Sequence, residues 1–178
     1  VYSATKHIDG QGRCLAGVIL ASEKFINDHI HTYLRQTGPS ISPFNAWVML
    51  KGLETLELRV ERQIANAVKV ADALAGHAAV ELARRQMKAG GTLVTFEVKG
   101  GKAAAFKVAN ALKITRISNN LGDTKSLITH PSTTTHQRFE EDARLGMGIR
   151  QGMLRFSAGI ESADDLIADF AQALDKAL

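Results

Sequence analysis

The helical rhythm is strongest between Trp47 and Leu74. Trp47, Leu50, Leu53, Leu56, Val60, Ile64, Ala67, Ala71 and Leu74 recur at three- and four-residue spacings, which predicts one long amphipathic helix. Ser42 followed by Pro43 opens it as an N-cap with proline at the first helical position. Gly52 marks a candidate kink, and Gly76 the stop. Upstream, Cys14 to Leu20 is an almost unbroken apolar run, read as a buried strand, with Cys14 as a small core residue. Ser22 is the N-cap of a helix through Phe25, Ile26 and Ile30, and Gly38-Pro39-Ser40 breaks the chain after it.

The second half changes character. Ala78 to Lys88 reads as helix, and Gly90-Gly91 as a break. Thr92 to Val98 alternates as a strand does. Gly100-Gly101 opens a helix from Lys102 to Leu112, and Ile114 to Ile117 is a short strand. A polar loop is expected from Ser118 to Gln137, then a short helix from Phe139 to Leu145. Met153 to Ala158 is a strand. Ser162 caps a last helix, with Asp164 and Asp165 in its first turn at the positive end of the dipole. Strands and helices in this order predict a small α+β domain with helices on one face of a sheet.

Composition narrows the class. The 178 residues are 45% apolar and 22% charged, values of an ordinary globular chain and not of a disordered or fibrous one. The net charge of +4 is mild and scattered, and only 6% of residues are aromatic. Arg84, Arg85 and Lys88, with Glu81 beside them, read as a solvated face. A nucleic-acid partner would need a basic stripe or a stacking platform. No apolar run approaches the ~18 residues of a membrane helix. One cysteine can form neither an internal disulfide nor a zinc pair, and a reducing compartment is its natural home. The histidines lack carboxylate partners at ligand spacing, so a metal centre is not expected.

Candidate chemistry starts at Lys6. Most lysines only solvate a surface. Here Ser3 and Thr5 flank the amine with two hydroxyls, and Gly10 and Gly12 let backbone approach a ligand. Such a set suits a phosphorylated carbonyl compound: the amine can form a Schiff base and the hydroxyls can bind phosphate. Gly10-Gln11-Gly12 is no dinucleotide fingerprint, and Ser157 has no nucleophile-elbow context. Arg155 sits inside an apolar strand. It either faces solvent or holds a carboxylate in a pocket. Asn119, Asn120 and Gly122 form a turn able to carry polar groups to a ligand.

These motifs carry a resemblance. Ser3-Ala4-Thr5-Lys6 with His7-Ile8-Asp9-Gly10 resembles the cofactor-lysine motif of the Cys/Met-metabolism family of pyridoxal 5′-phosphate (PLP) enzymes. Ser42 to Trp47, Lys51 to Leu56, Asn120 to Asp123, Thr129-His130-Pro131 and Leu154 to Glu161 follow in family order. Gly10-Gln11-Gly12-Arg13 and the Asn119-Asn120 pair are most similar to the O-succinylhomoserine sulfhydrylase branch. The resemblance implies an α/β fold, the C-terminal half of a fold-type-I PLP-dependent transferase. Residues 1–52 would end the cofactor domain, 53–75 form a long connecting helix, and 76–178 form the small α+β C-terminal domain.

It also implies roles. Lys6 would be the Schiff-base lysine and proton shuttle, Ser3 and Thr5 phosphate ligands, and Arg155 the partner of the substrate α-carboxylate. Asn120 stands at the turn orienting that carboxylate, where the family usually has serine. The implied reaction is a γ-replacement in methionine biosynthesis, converting O-succinylhomoserine and sulfide to homocysteine. Alternatives are a sister activity (cystathionine γ-synthase, methionine or cystathionine γ-lyase) or a non-catalytic fragment. The implied partners are small molecules, an O-acylhomoserine and sulfide, and copies of the chain itself. A cytoplasmic homotetramer with active sites shared across a dimer is expected, binding neither nucleic acid nor membrane. The chain opens on Val1 with no signal-peptide pattern, in an interior-looking segment. The family's preceding half carries the acid facing the pyridine nitrogen, the stacked aromatic ring and the Gly-rich phosphate turn. The present residues alone are therefore expected not to form a competent enzyme. A family loop with a His-Pro segment is also shortened at Gly76-His77-Ala78.

Overall fold

The computed structural model describes residues 1–85 and 90–177, and the chain divides into two compact units, Val1–Leu56 and Glu57–Leu178. The side chains of the basic cluster at Arg84, Arg85 and Lys88 lie outside the described residues.

In the first unit, β1 (Tyr2–Ser3) pairs antiparallel with β2 (Gly17–Val18). The apolar run Cys14 to Leu20 is thus not a buried strand. Only two of its residues pair, Cys14 lies half-buried ahead of them, and Leu15 and Leu20 are 83% and 78% exposed. Apolarity alone does not say whether both faces of a strand are covered. A helical segment follows as α1 (Glu23–Phe25), a π-helical stretch (Ile26–His31) and α2 (Thr32–Thr37). The Ser22 hydroxyl accepts the Phe25 N–H at 3.3 Å, the predicted cap. The segment ends at Gly38, whose φ of +82° lets its N–H turn back to the Leu34 carbonyl.

α3 (Pro43–Leu53) opens with the Ser42 hydroxyl accepting the Asn45 N–H at 3.2 Å. The predicted single helix is two: α4 (Leu56–Ala75) starts after a break at residues 54–55. Gly52 has a packing reason. A Cβ there would overlap the Ile8 carbonyl oxygen, so α3 rests its backbone on the turn that follows Lys6.

The second unit is built on a five-stranded mixed sheet, ordered β3 (Val80–Arg85), β4 (Leu93–Val98), β7 (Met153–Ser157), β6 (Leu127–Thr129), β5 (Arg116–Ile117). All neighbours are antiparallel except β5 and β6. β3 corrects the helix expected over Ala78 to Lys88. Its residues are good helix formers, but pairing with β4 along its length overrides that weak preference. β6 corrects the loop expected from Ser118 to Gln137. Leu127, Ile128 and Thr129 are all buried, though polar neighbours hide them in the sequence. The short helix α6 (Glu141–Gly146) starts two residues later than expected.

Strand alternation separates two faces. Val94, Phe96, Val98, Leu154, Phe156 and Ile128 point into the core. They share it with Ala104, Ala105 and Val108 of α5 (Gly101–Ala111) and with Leu166, Phe170 and Leu174 of α7 (Ala163–Asp175). Phe170 meets Phe96 and Phe156 edge-on, with ring centroids 5.7 and 5.0 Å apart. Such pairs add about 1 kcal/mol each to the burial itself. The Ser162 hydroxyl caps α7 as predicted, accepting from the Asp165 N–H. Buried Asp169 accepts the N–H groups of Lys113, Ile114 and Thr115 at 2.8, 2.9 and 3.2 Å, fixing the approach to β5. Among the described residues no helix is long and apolar enough to cross a membrane.

Candidate active site

The Lys6 turn is tied by its own backbone. The N–H of Lys6 donates to the Ser3 carbonyl at 3.1 Å, that of Asp9 to Ala4 at 2.9 Å and that of Gly10 to Lys6 at 2.8 Å. Ala4 is buried while Lys6 is half-buried, so the lysine leaves an anchored base. Asp9, fully buried, closes the loop. Its carboxylate accepts the backbone N–H and Nε of Arg13 at 2.6 and 2.8 Å and the Cys14 N–H at 3.3 Å. Arg13 Nη2 also donates to the Asp9 carbonyl at 2.8 Å. Gly10 and Gly12, with φ of +66° and +64°, supply the reversals this clamp needs. Burial, then the Asp9 charge, pushes the Cys14 thiol above its ordinary range.

The two hydroxyls predicted beside Lys6 differ. Ser3 is exposed. Thr5 Oγ1 donates to the Ala16 carbonyl at 3.3 Å and accepts its N–H at 3.0 Å. Thr5 thereby pins the start of β2, and one lone pair is left for a further partner.

In the second unit, Arg155 occupies the outward register of β7, on the face opposite the core. It is half-buried and lines a cleft of about 560 Å³ with Leu93, Thr95, Glu97, His136 and Arg150 among its neighbours. Its Nη2 donates to the carbonyls of Asn119 and Asn120 at 2.9 and 3.3 Å. Its Nε is buried and finds no hydrogen-bond partner among the described residues. Burial lowers its pKa from the usual arginine range. Arg155 thus lies on the outward face, half-buried at the cleft and bonded to main-chain carbonyls.

The Asn119–Gly122 turn approaches this arginine through its carbonyls. The Asn120 N–H donates to Ser118 Oγ at 3.2 Å. Gly122, at φ +74°, donates its N–H to buried Ser157 Oγ at 3.0 Å. Sequence reasoning missed Ser157, because its role is to bond the turn and not to react. It missed His130 too. That ring is buried, with Nδ1 on Thr133 Oγ1 at 2.9 Å, Nε2 on the Gln151 carbonyl at 2.8 Å, and an edge contact to Phe106. The carbonyl requires Nε2 to carry the proton, so Nδ1 accepts from the threonine. Burial pushes the His130 pKa below its ordinary value of 6.5. Among the described residues no cluster of histidine, cysteine or carboxylate side chains could hold a metal ion.

The family model for Cys/Met metabolism PLP-dependent enzymes matches residues 1–175. The chain belongs to that family. An O-succinylhomoserine sulfhydrylase of Mycobacterium tuberculosis is 47% identical over 192 residues, covering 98% of this chain and 47% of that protein. The chain thus spans about half the length of the curated relative it matches. A cystathionine γ-synthase of Xanthomonas oryzae pv. oryzae, solved with aminoacrylate and cysteine, superposes with a TM-score of 0.90 at 34% identity, covering 98% of this chain and 49% of that one. A Campylobacter jejuni structure carrying N′-pyridoxyl-lysine-5′-monophosphate superposes at TM-score 0.85 and 30% identity, covering 97% of this chain and 52% of that one. The fold is that of the family, and its cofactor is PLP.

The residues present fit that cofactor. Lys6 brings a primary amine on a turn tied by its own backbone, and Thr5 Oγ1, one residue before it, keeps a lone pair beyond its bonds to Ala16.

Proposed function

We propose that the protein catalyses the PLP-dependent γ-replacement of O-succinylhomoserine by sulfide, yielding homocysteine and succinate. The clamped turn behind Lys6 carries this reading. Asp9 and Arg13 close it with an ion pair, in the segment most like the sulfhydrylase branch, and similarity to a sulfhydrylase extends over nearly the whole chain. When bound, the cofactor supplies an electron sink for negative charge at the substrate Cα. Lys6 Nζ holds the cofactor and, released by the substrate amine, moves protons at Cα and Cβ as the succinyloxy group leaves and sulfide adds at Cγ. Ser3 Oγ and the remaining capacity of Thr5 Oγ1 hold the cofactor phosphate.

Arg155 binds the substrate α-carboxylate. Its Nη2 is held by the Asn119 and Asn120 carbonyls, which leaves Nη1 to donate to the carboxylate. Asn120 acts through its main chain and contributes the turn, in place of the family's usual serine. The same residues serve a cystathionine γ-synthase, a reading favoured by the Xanthomonas similarity. We place the enzyme in the cytoplasm as a homotetramer of site-sharing dimers. The large apolar side chains left exposed in the first unit, Tyr33, Phe44, Trp47 and Leu50, support that assembly.

Incubating the holoenzyme with O-succinylhomoserine and either sulfide, cysteine or water tests the reading. Homocysteine formed faster than cystathionine or 2-oxobutyrate is expected. Dominant cystathionine would transfer the assignment to the synthase. Borohydride reduction followed by peptide mapping is expected to place the pyridoxyl group on Lys6.

A further inference from the structure

The outward face of the sheet holds a second guanidinium that the reaction above does not use. Arg150 lies three residues ahead of β7 and lines the same cleft as Arg155. Its Nη1 donates to Glu97 Oε2 at 3.4 Å, and no hydrogen bond of its Nε or Nη2 is found among the described residues. Glu97 is 7% exposed. It therefore fixes the guanidinium over the sheet while the rest of the fork stays available.

Register places the two cations. Thr95 sits opposite Arg155 and Glu97 opposite Met153. A strand rises ~3.4 Å per residue, so the Glu97–Arg150 pair stands about 7 Å along the face from the Thr95–Arg155 pair. Met147, Ile149 and Met153 add apolar lining. A matching ligand carries one carboxylate for Arg155, a methylene-rich middle, and a second anionic group for Arg150. The succinyl ester of homoserine has that pattern. The acetyl ester ends in a methyl group and leaves Arg150 unused.

We infer that Arg150 determines acyl specificity: it receives the distal carboxylate of a dicarboxylic acyl group and so selects the succinyl over the acetyl ester. The inference rests on the assignment of Arg155 to the α-carboxylate. Arg150 has a side chain 58% exposed, so solvent weakens the pair. The expected discrimination is about tenfold, not the hundreds of a sealed site.

The holoenzyme assayed with sulfide and each ester tests this. In Arg150→Met the ratio of kcat/KM for the succinyl to the acetyl ester is expected to fall about tenfold, and Arg150→Lys to recover part of it. Because Arg150→Met leaves buried Glu97 unpaired, the double variant Glu97→Gln/Arg150→Met is run beside it and must show the same fall. An unchanged ratio in both overturns the inference. Wild-type protein that converts neither ester overturns the sulfhydrylase reading instead. Calorimetric titration of the holoenzyme with adipate and its monomethyl ester then decides Arg150. Tighter binding of adipate, lost in Arg150→Met, supports it, and equal binding by the wild type overturns it.

Discussion

Replacing Arg155 by methionine separates a binding role from a folding role, because the structure predicts opposite magnitudes for the two. On the folding side, the variant loses two hydrogen bonds from Nη2 to the Asn119 and Asn120 carbonyls. Each is worth about 1.5–3 kcal/mol with a charged donor, at the low end here because one bond is exposed and the other is 3.3 Å long. The variant also removes a buried Nε that finds no partner among the described residues, and such a group costs about 1–3 kcal/mol to bury. The terms largely offset. Methionine keeps most of the apolar stem, so the loss in stability should stay within about 2 kcal/mol, or roughly 8 °C in Tm. On the binding side, the proposed substrate carboxylate loses its guanidinium partner in a partly buried cleft. Truncating one member of such a pair costs about 2–5 kcal/mol, a fall of roughly 30-fold to several thousand-fold in kcat/KM. Arg155→Lys keeps the charge but not the planar set of donors that also holds the turn, and should fall between. The assay is thermal unfolding beside steady-state kinetics with saturating sulfide. A Tm lowered by more than about 10 °C with KM unchanged would refute the argument, making Arg155 a clamp for the 119–122 turn and not a ligand-binding group.

Phe170→Ala removes the ring that Phe96 and Phe156 meet edge-on, and is expected to destabilise the second unit by about 3–5 kcal/mol, read in urea unfolding with the m-value unchanged. His130 titrates below 6.5 in the folded chain and near 6.5 when unfolded, so the unfolded state binds the extra proton. Its contribution to stability is complete above pH 6.5 and is lost as pH falls through the folded pKa, and His130→Gln should remove that part of the slope in pH-dependent melting. Arg13→Ala leaves the buried Asp9 carboxylate without its cation and is expected to loosen the Lys6 turn, read as faster loss of cofactor absorbance on dialysis. Gly52→Ala forces a Cβ onto the Ile8 carbonyl and should be more harmful than the few tenths of a kcal/mol that alanine normally gains in a helix; protease sensitivity of the first unit reports it.

Local chemistry was the legible part of the sequence. Ser22, Ser42 and Ser162 each cap the helix they announce, because a cap is decided within a few residues. β4, β7, α5 and α7 were equally plain, since one face of each is buried against a continuous core. What failed depended on distant partners. Val80 to Arg85 reads as helix until β4 pairs with it, and Leu127 to Thr129 reads as loop until β7 does. The Cys14 to Leu20 run signals burial that the structure does not give it. At the candidate site, the motifs around Lys6 and Arg155 were legible in their order, while the bonds made by Ser157, His130 and the carbonyls of Asn119 and Asn120 were not. Their function lies in bonds to backbone groups dozens of residues away in sequence.

The first half of α4 shows why that second layer is polar. Periodicity nominates Leu56, Val60 and Ile64 as its buried face, yet the residues it buries are Arg59, Gln63 and Asn66. Gln63 Nε2 donates to the Asp123 carbonyl at 2.7 Å, and Asn66 Nδ2 donates to the carbonyls of Gly159 and Glu161 at 2.9 and 2.8 Å. Asp123 follows Gly122, which bonds Ser157, and Gly159 lies two residues beyond Ser157. Glu161 in turn accepts from the backbone and hydroxyl of Ser126 at 2.7 and 2.8 Å. Both segments flanking Arg155 are thus tied to one helix by directional bonds. Apolar side chains would bury the same area at less cost, since Gln63 Oε1 finds no partner among the described residues. They would not set the height of the turn whose carbonyls aim the arginine. A guanidinium proposed to receive a carboxylate needs its donors held to within about 0.5 Å, which hydrophobic contact does not supply. The polar stripe in α4 therefore belongs to the proposed site as much as to the fold. It is invisible to hydropathy because its apolar neighbours keep the helical rhythm one position away.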